Sequence, residues 1–377
     1  MTGDRESDRY AAIRATLGGS AHDVRFARAP GRVNLIGDHT DYQDGLCLPI
    51  AIDRDVLVGF RPRVDGLVRV HSLDLGTEIE LTTPIAATIE VDAWARPIVT
   101  TLALLAPRFE GGFGGFDAAI ASTVPIGGGL SSSAAFDVAL TIVTATIGHV
   151  ALSSLELALA AQEIEHRASG VPCGLMDQLA SVGGQAGHAL LLDCRTLEIT
   201  PVPMPGAAGV LVVHSGLERR LATSAYAERR AACEAAAARL GVPTLRDATI
   251  DQVRGDPIAR HVVTENARVG AFARALEDND LERAGVLMVE SHQSLRDDFA
   301  VSTPELDLLV GLALDAGAFG ARLTGAGFGG CVVSLVEIAD LERIAGSVRE
   351  RYGAETGREP AAFAVTAVDG ACLVEEA

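Results

Sequence analysis

Three short stretches concentrate the side chains that could do chemistry. The first, "PIGGGLSSSAAF" (125–136), sets Gly127, Gly128 and Gly129 before Leu130, then Ser131, Ser132 and Ser133 before Ala134, ahead of an apolar run. Glycines there permit positive φ and close approach of backbone to a ligand. Serines cap the helix that follows. The helix N-terminus offers unpaired N–H groups and partial positive charge to an anion, and a serine hydroxyl can ligate Mg2+. The pattern suits a bound phosphate; a plain Gly-rich turn with a serine cap would look the same. The second stretch, "PGRVNLIGDHTDYQDG" (30–45), packs Asp38, His39, Asp41 and Asp44 into one loop after an apolar strand. Each carboxylate can accept from two hydroxyls, which suits a polyhydroxy compound. Arg32, just upstream, could reach a phosphate. An exposed acidic turn or a weak metal site is the competing reading. The third, "LTGAGFGGCVVSL" (323–335), leads Gly325, Gly327, Gly329 and Gly330 into an apolar strand. Such density implies backbone passing tight against a ligand or another loop, or a close packing contact.

The chain has no lysine: all 31 basic residues are arginine. That removes a lysine Schiff base, the lysine-containing phosphate loop and the protein-kinase strand lysine. Any phosphate must be held by arginine, backbone N–H groups and helix dipoles. The net charge of −19 argues against nucleic acid and anionic membranes as partners. The polar first ten residues do not resemble a secretory signal, and the apolar run 136–152 contains Asp137 and His149, so it reads as a buried helix. Six scattered cysteines without a C-x-x-C pair point to free thiols in a reducing cytoplasm. The nine histidines show no zinc-type spacing.

The elements that must position these loops can be read coarsely. Strands are expected at 24–36, 46–62, "HALLLDC", "GVLVVHS", "CVVSLV" and "AAFAVTAV", with a hairpin from "GLVRVHS" and "EIELTT". Helices are expected at 93–106, from Ser131 or Ser132 to about Thr146, at 155–169 behind a cap at Ser153 or Ser154, at 175–182, at 224–240, through 264–300, at 305–316 and at 340–352. Helices and strands intermix without regular alternation, which predicts an α+β protein. At 377 residues two domains are expected, with the break near the proline-rich 195–208: residues 1–198 and 199–377.

Together the three stretches resemble those of the galactose/homoserine/mevalonate/phosphomevalonate small-molecule kinases. "GRVNLIGDHTDY" is similar to the signature of galactokinases, and "EHRASGVPCGLMDQ" (165–178) and "SAYAERRAACE" (224–234) follow in the same order. The resemblance runs from about residue 25 to 370. It implies a ribosomal-protein-S5-like N-terminal domain, a ferredoxin-like C-terminal domain and an active site in the cleft between them. It implies ATP and Mg2+, and a sugar phosphorylated at its C1 hydroxyl, with galactose the first expectation. By the same resemblance Arg32 stabilises the transferred phosphoryl and Asp177 is the base or orienter of the hydroxyl. Asp38, His39, Asp41, Gly174 and Tyr226 hold the sugar. The loop Gly127–Ala134 wraps the ATP phosphates, Ser133 (or Ser132) and Glu165 ligate Mg2+, and Trp94 lies near the adenine. The partners expected are small molecules only, with the chain a monomer or weak homo-oligomer.

Three positions depart from the family pattern, one of them Gln43, which replaces a common Asn. Asp38 stands where the family has Glu, shortening the reach by about 1.5 Å, one C–C bond, at the acid that in the family touches the sugar 6-hydroxyl. Glu218 stands where many relatives carry a basic residue, beside Arg219 and Arg220. Arabinose or N-acetylgalactosamine are therefore alternative substrates. A non-catalytic sugar sensor is a third reading, opposed by the intact serine loop, Arg32 and Asp177.

Overall fold

The computed structural model describes residues 2–85, 89–109, 112–125, 127–217 and 222–374. Glu218, Arg219 and Arg220 lie outside the described residues. The fold is α+β. A six-stranded sheet runs in the order Cys372–Val374, Arg25–Asn34, Pro49–Pro62, Phe116–Ser122, Leu67–Ser72, Thr77–Thr82. Only the pairing of Leu67–Ser72 with Phe116–Ser122 is parallel. The helices Arg96–Leu105, Ser132–Ile147, Ser154–Ser169 and Met176–Gly183 pack together over this sheet. Val33, Ile50, Val58, Val138 and Leu179 lie in the shared core.

The second sheet is antiparallel, in the order Gly320–Thr324, Cys331–Glu337, Ala208–His214, Ala361–Val365. Helices Leu281–Asp297, Pro304–Asp315 and Leu341–Thr356 pack on it, Pro257–Glu277 packs on Leu281–Asp297, and Leu211, Phe299, Leu309, Val332 and Tyr352 form a second core. Among the described residues no helix is long and apolar enough to cross a membrane.

The structure departs from the sequence reading in two places. Thr2–Leu17 is a helix that composition concealed, because its apolar side is short; Ile13 and Leu17 seal it onto Phe26 and Leu57. The stretch Glu198–Pro203 is a strand paired with His188–Asp193, so the expected break at 198/199 falls inside a hairpin. It is the edge strand of a three-stranded sheet. An edge tolerates prolines because no neighbour needs their missing N–H, which is why it reads as a linker. The chain end also returns to the first sheet, with Phe26 opposite Val374.

Three local features aim the site. The register of Arg25–Asn34 against Pro49–Pro62 slips between Pro30 and Arg32. The Arg32 N–H thereby bonds the Leu130 carbonyl at 3.1 Å, tying the strand to the glycine–serine loop. A Cβ on Gly31 would come within 2.6 Å of that carbonyl, so only glycine allows the approach. Ser153 caps Ser154–Ser169 with a full capping box through Glu156, fixing the helix that carries Glu165.

Candidate active site

A cavity of about 330 Å³ opens between the two sheets' layers. Its walls include Arg32, Asp38, His39, Asp41, Gly127, Gly129, Ser131, Ser132, Ser133, Glu165, Gly174, Asp177 and Tyr226, all expected from sequence. Four expected residues stand elsewhere. Leu130 and Ala134 are buried in the core. The Gly128 carbonyl accepts from the Cys331 thiol. Trp94 is half-buried and lines a separate hollow with Glu78, Ile79 and Asp92. Sequence reasoning missed Val171, Cys173, Met176, Gly325 and Ala326 on the cavity wall. Only the glycine density of the third motif hinted at the last two.

Arg32 and Asp177 form the centre. Arg32 Nε lies 2.8 Å and Nη2 2.6 Å from Asp177 Oδ1, and Nη1 donates to the Gly129 carbonyl at 2.7 Å. Arg32 is 4% exposed. Burial disfavours its charge, but Asp177, Asp38 and Asp41 more than offset this and hold its pKa above the ordinary value. Asp177 sits in the first turn of Met176–Gly183, where a helix favours a carboxylate.

Ser131 behaves differently from the expected cap. It adopts φ +59, makes no capping bond, and donates its hydroxyl to Asp177 Oδ2 at 2.5 Å. A left-handed serine costs conformational energy; here the tertiary bond to Asp177 displaces the local one. Ser133 Oγ donates to Glu165 Oε1 at 2.7 Å, and Gln178 Nε2 to Glu165 Oε2 at 2.6 Å. Burial, reinforced by the charge of Asp177, raises the Glu165 pKa.

The acid-rich loop forms the opposite wall. Asp38 is 1% exposed; its Oδ2 accepts from Arg322 and its Oδ1 from the Gly325 N–H. Burial raises its pKa against the pull of Arg322 and Arg32. His39 has both ring nitrogens engaged, Nδ1 with the Tyr42 hydroxyl at 2.9 Å and Nε2 with the Ala326 carbonyl at 3.2 Å. A carbonyl only accepts, so Nε2 carries the proton and Nδ1 takes that of Tyr42. Burial pushes the His39 pKa down to about 3, leaving a neutral ring. Asp41 stands against Gly174: a Cβ at 174 would sit 1.8 Å from Asp41 Oδ2, so this contact requires glycine. Burial, then the charge of Asp177, pushes Asp41 up to about 7. Burial likewise raises the Tyr226 phenol well above its usual range, so it stays protonated.

Such a site has a buried arginine shared between a carboxylate and a glycine–serine loop at a helix mouth, facing a wall of hydroxyl acceptors. Fold and site together are those of a small-molecule kinase. The GHMP kinases N-terminal domain matches residues 97–185, the GHMP kinases C-terminal domain residues 272–354, and the galactokinase galactose-binding signature residues 14–62. The mevalonate kinase of Methanococcus jannaschii shares the fold, with TM-score 0.67 and 19% identity over 91% of this chain and 98% of that one. The chain belongs to the galactokinase family: it is 45% identical to the galactokinase of Chloroflexus aurantiacus over 93% of this chain and 94% of that protein. It is 46% identical to that of Roseiflexus sp. over 93% of each. The crystal structure of Lactococcus lactis galactokinase complexed with galactose superposes with TM-score 0.90, at 30% identity, covering 96% of this chain and 98% of that one.

Proposed function

We propose that this cleft transfers the terminal phosphoryl group of ATP to the C1 hydroxyl of galactose, and that Arg32 and Asp177 carry the transfer. The observation that bears most weight is the three-way bond of Arg32 to Asp177 and to the Gly129 carbonyl of the phosphate-type loop. Phosphoryl transfer needs alignment and charge neutralisation more than covalent help from the protein. Arg32 lies between the two reactant positions and neutralises charge on the moving group. Asp177, held by Arg32 and Ser131, accepts or orients the hydroxyl proton. Asp38 and Asp41 accept sugar hydroxyls, Tyr226 closes the wall, and neutral His39 holds the loop rather than the sugar. The backbone N–H groups of Gly127–Ala134 and the mouth of the Ser132–Ile147 helix take the nucleotide phosphates.

Ser133 and Glu165 fit a hard divalent cation: a hydroxyl and a carboxylate meet at 2.7 Å at the loop's edge. Mg2+ commonly takes one or two protein oxygens and completes its shell with phosphate and water. Among the described residues no group of three or more His, Cys, Asp or Glu side chains could hold a metal ion by itself. When bound, the ion would neutralise phosphate charge. The chain divides, in this reading, after residue 203 rather than 198, with the last strand belonging to the first unit. Among the described residues the six cysteines form no disulfide.

The direct test is ADP release with Mg-ATP against galactose, 2-deoxygalactose, fucose, arabinose, N-acetylgalactosamine and glucose. Galactose is expected to be turned over fastest. Turnover of a sugar altered at C6 in its place would reassign the substrate, and no turnover with any sugar would sink the reading.

The position of Asp41 adds a pH dependence. Below about 7 its carboxyl is protonated; above, it is ionised and free to accept hydroxyls. The kcat/KM for sugar is therefore expected to fall by about tenfold per pH unit below the limb. Asp41→Asn should lower affinity and remove the limb; a limb that persists in that variant assigns it to another group.

A further inference from the structure

We propose that Arg322 is a positioning residue for sugar recognition, fixing the Asp38 carboxylate from behind the cavity wall. The proposal rests on the reading of this cleft as a sugar site. Arg322 lies on the second sheet, in Gly320–Thr324, and is completely buried. It does not line the cavity, whereas Asp38 does. Its Nη2 reaches Asp38 Oδ2 at 2.5 Å, Nη1 the Asn34 carbonyl at 3.1 Å and Nε the Ser291 hydroxyl at 3.1 Å. Ser291 passes its own proton bond to Glu265 Oε1 at 2.6 Å, and the same oxygen receives the Gly37 N–H at 3.0 Å. Thr324 Oγ1 adds a bond to the Asn34 carbonyl at 3.0 Å, and the Gly325 N–H holds Asp38 Oδ1 at 3.1 Å. The second sheet thus grips the 34–38 segment of the first unit at its backbone and at its one inward acid.

A fully buried ion pair is a poor device for stability, since desolvation offsets most of the attraction. What this pair supplies is direction. An aspartate has only two rotatable side-chain bonds, and with one donor on each oxygen both are set. Each oxygen retains acceptor capacity for a hydroxyl on the cavity side. The shortened acid and the deep arginine act as one unit, and the third glycine-rich stretch is the clamp that presents it.

The test is steady-state kinetics and calorimetric galactose titration of Arg322→Lys and Ser291→Ala, with single-deoxy galactoses as probes. Lysine gives one charge but not the three-way fork. Arg322→Lys is expected to raise the galactose KM by about tenfold, with the ATP KM within about twofold of wild type. It should also erase discrimination against the one deoxy sugar lacking the hydroxyl that Asp38 reads. Ser291→Ala, which takes one acceptor from the arginine and one donor from Glu265 but leaves the Arg322–Asp38 pair in place, should move both quantities the same way by about two- to fivefold, and it carries the test if the lysine variant does not fold. Unchanged galactose KM and discrimination in a folded variant, or equal rises in both KM values, would overturn the proposal. A wild-type protein that phosphorylates no sugar would instead overturn the reading of the site.

Discussion

Replacing Asp177 with Asn is expected to lower kcat by about 10²–10⁴-fold while leaving the KM for ATP within about twofold. Asparagine keeps the size of the side chain and can keep an acceptor oxygen toward Arg32. It loses the charge and cannot take a proton. The Ser131 hydroxyl, now donating to Oδ2 at 2.5 Å, would face either an amide oxygen or an amide nitrogen. Arg32, largely buried, would lose its nearest counter-charge. A loss at the upper end assigns Asp177 to proton transfer. A loss near the lower end assigns it to orientation of the hydroxyl and of Arg32. Retention of more than a tenth of wild-type turnover, measured as ADP release at saturating substrates, would remove Asp177 from the chemistry.

Arg32, Asp41 and the serine loop were legible as local patterns, and the family resemblance of those patterns assigned them to one site, whose cavity they line. A strand end, a glycine turn and a helix mouth are written in a dozen adjacent residues each. The Ser153 cap was legible for the same reason: its partner Glu156 is three residues away. What escaped was set by distant partners. Arg322 meets Asp38 across 284 residues of sequence, and "ARLT" alone reads as an ordinary strand. Ser131 satisfies every local rule for a cap, yet a carboxylate 46 residues on draws its hydroxyl away. His39 looked like a sugar ligand by type and place; only the fold shows Tyr42 and the Ala326 carbonyl occupying both its nitrogens. The strand Glu198–Pro203 failed for a third reason. Prolines signal a linker unless the strand lies at a sheet edge, and an edge is a property of topology rather than of sequence.

Arg32→Ala is expected to reduce kcat by about 10²–10³-fold, the scale of losing one preorganised donor to transition-state charge. The chain has no lysine to take over, and Arg32 is the cation that the structure joins to both the loop and Asp177. Folding should survive the change. The Asp177 side chain is 26% exposed, so water can replace the lost partner. Arg322 is the contrasting case, because removing it strands an Asp38 side chain that is only 2% exposed. The two arginines therefore separate by experiment. Loss at Arg32 should appear in turnover at an unchanged melting temperature, and Arg32→Lys should recover only part of the rate, since an ammonium cannot hold Asp177 and the Gly129 carbonyl through one rigid fork. Full turnover in Arg32→Ala would show that the loop backbone and helix mouth stabilise the moving phosphoryl group without it.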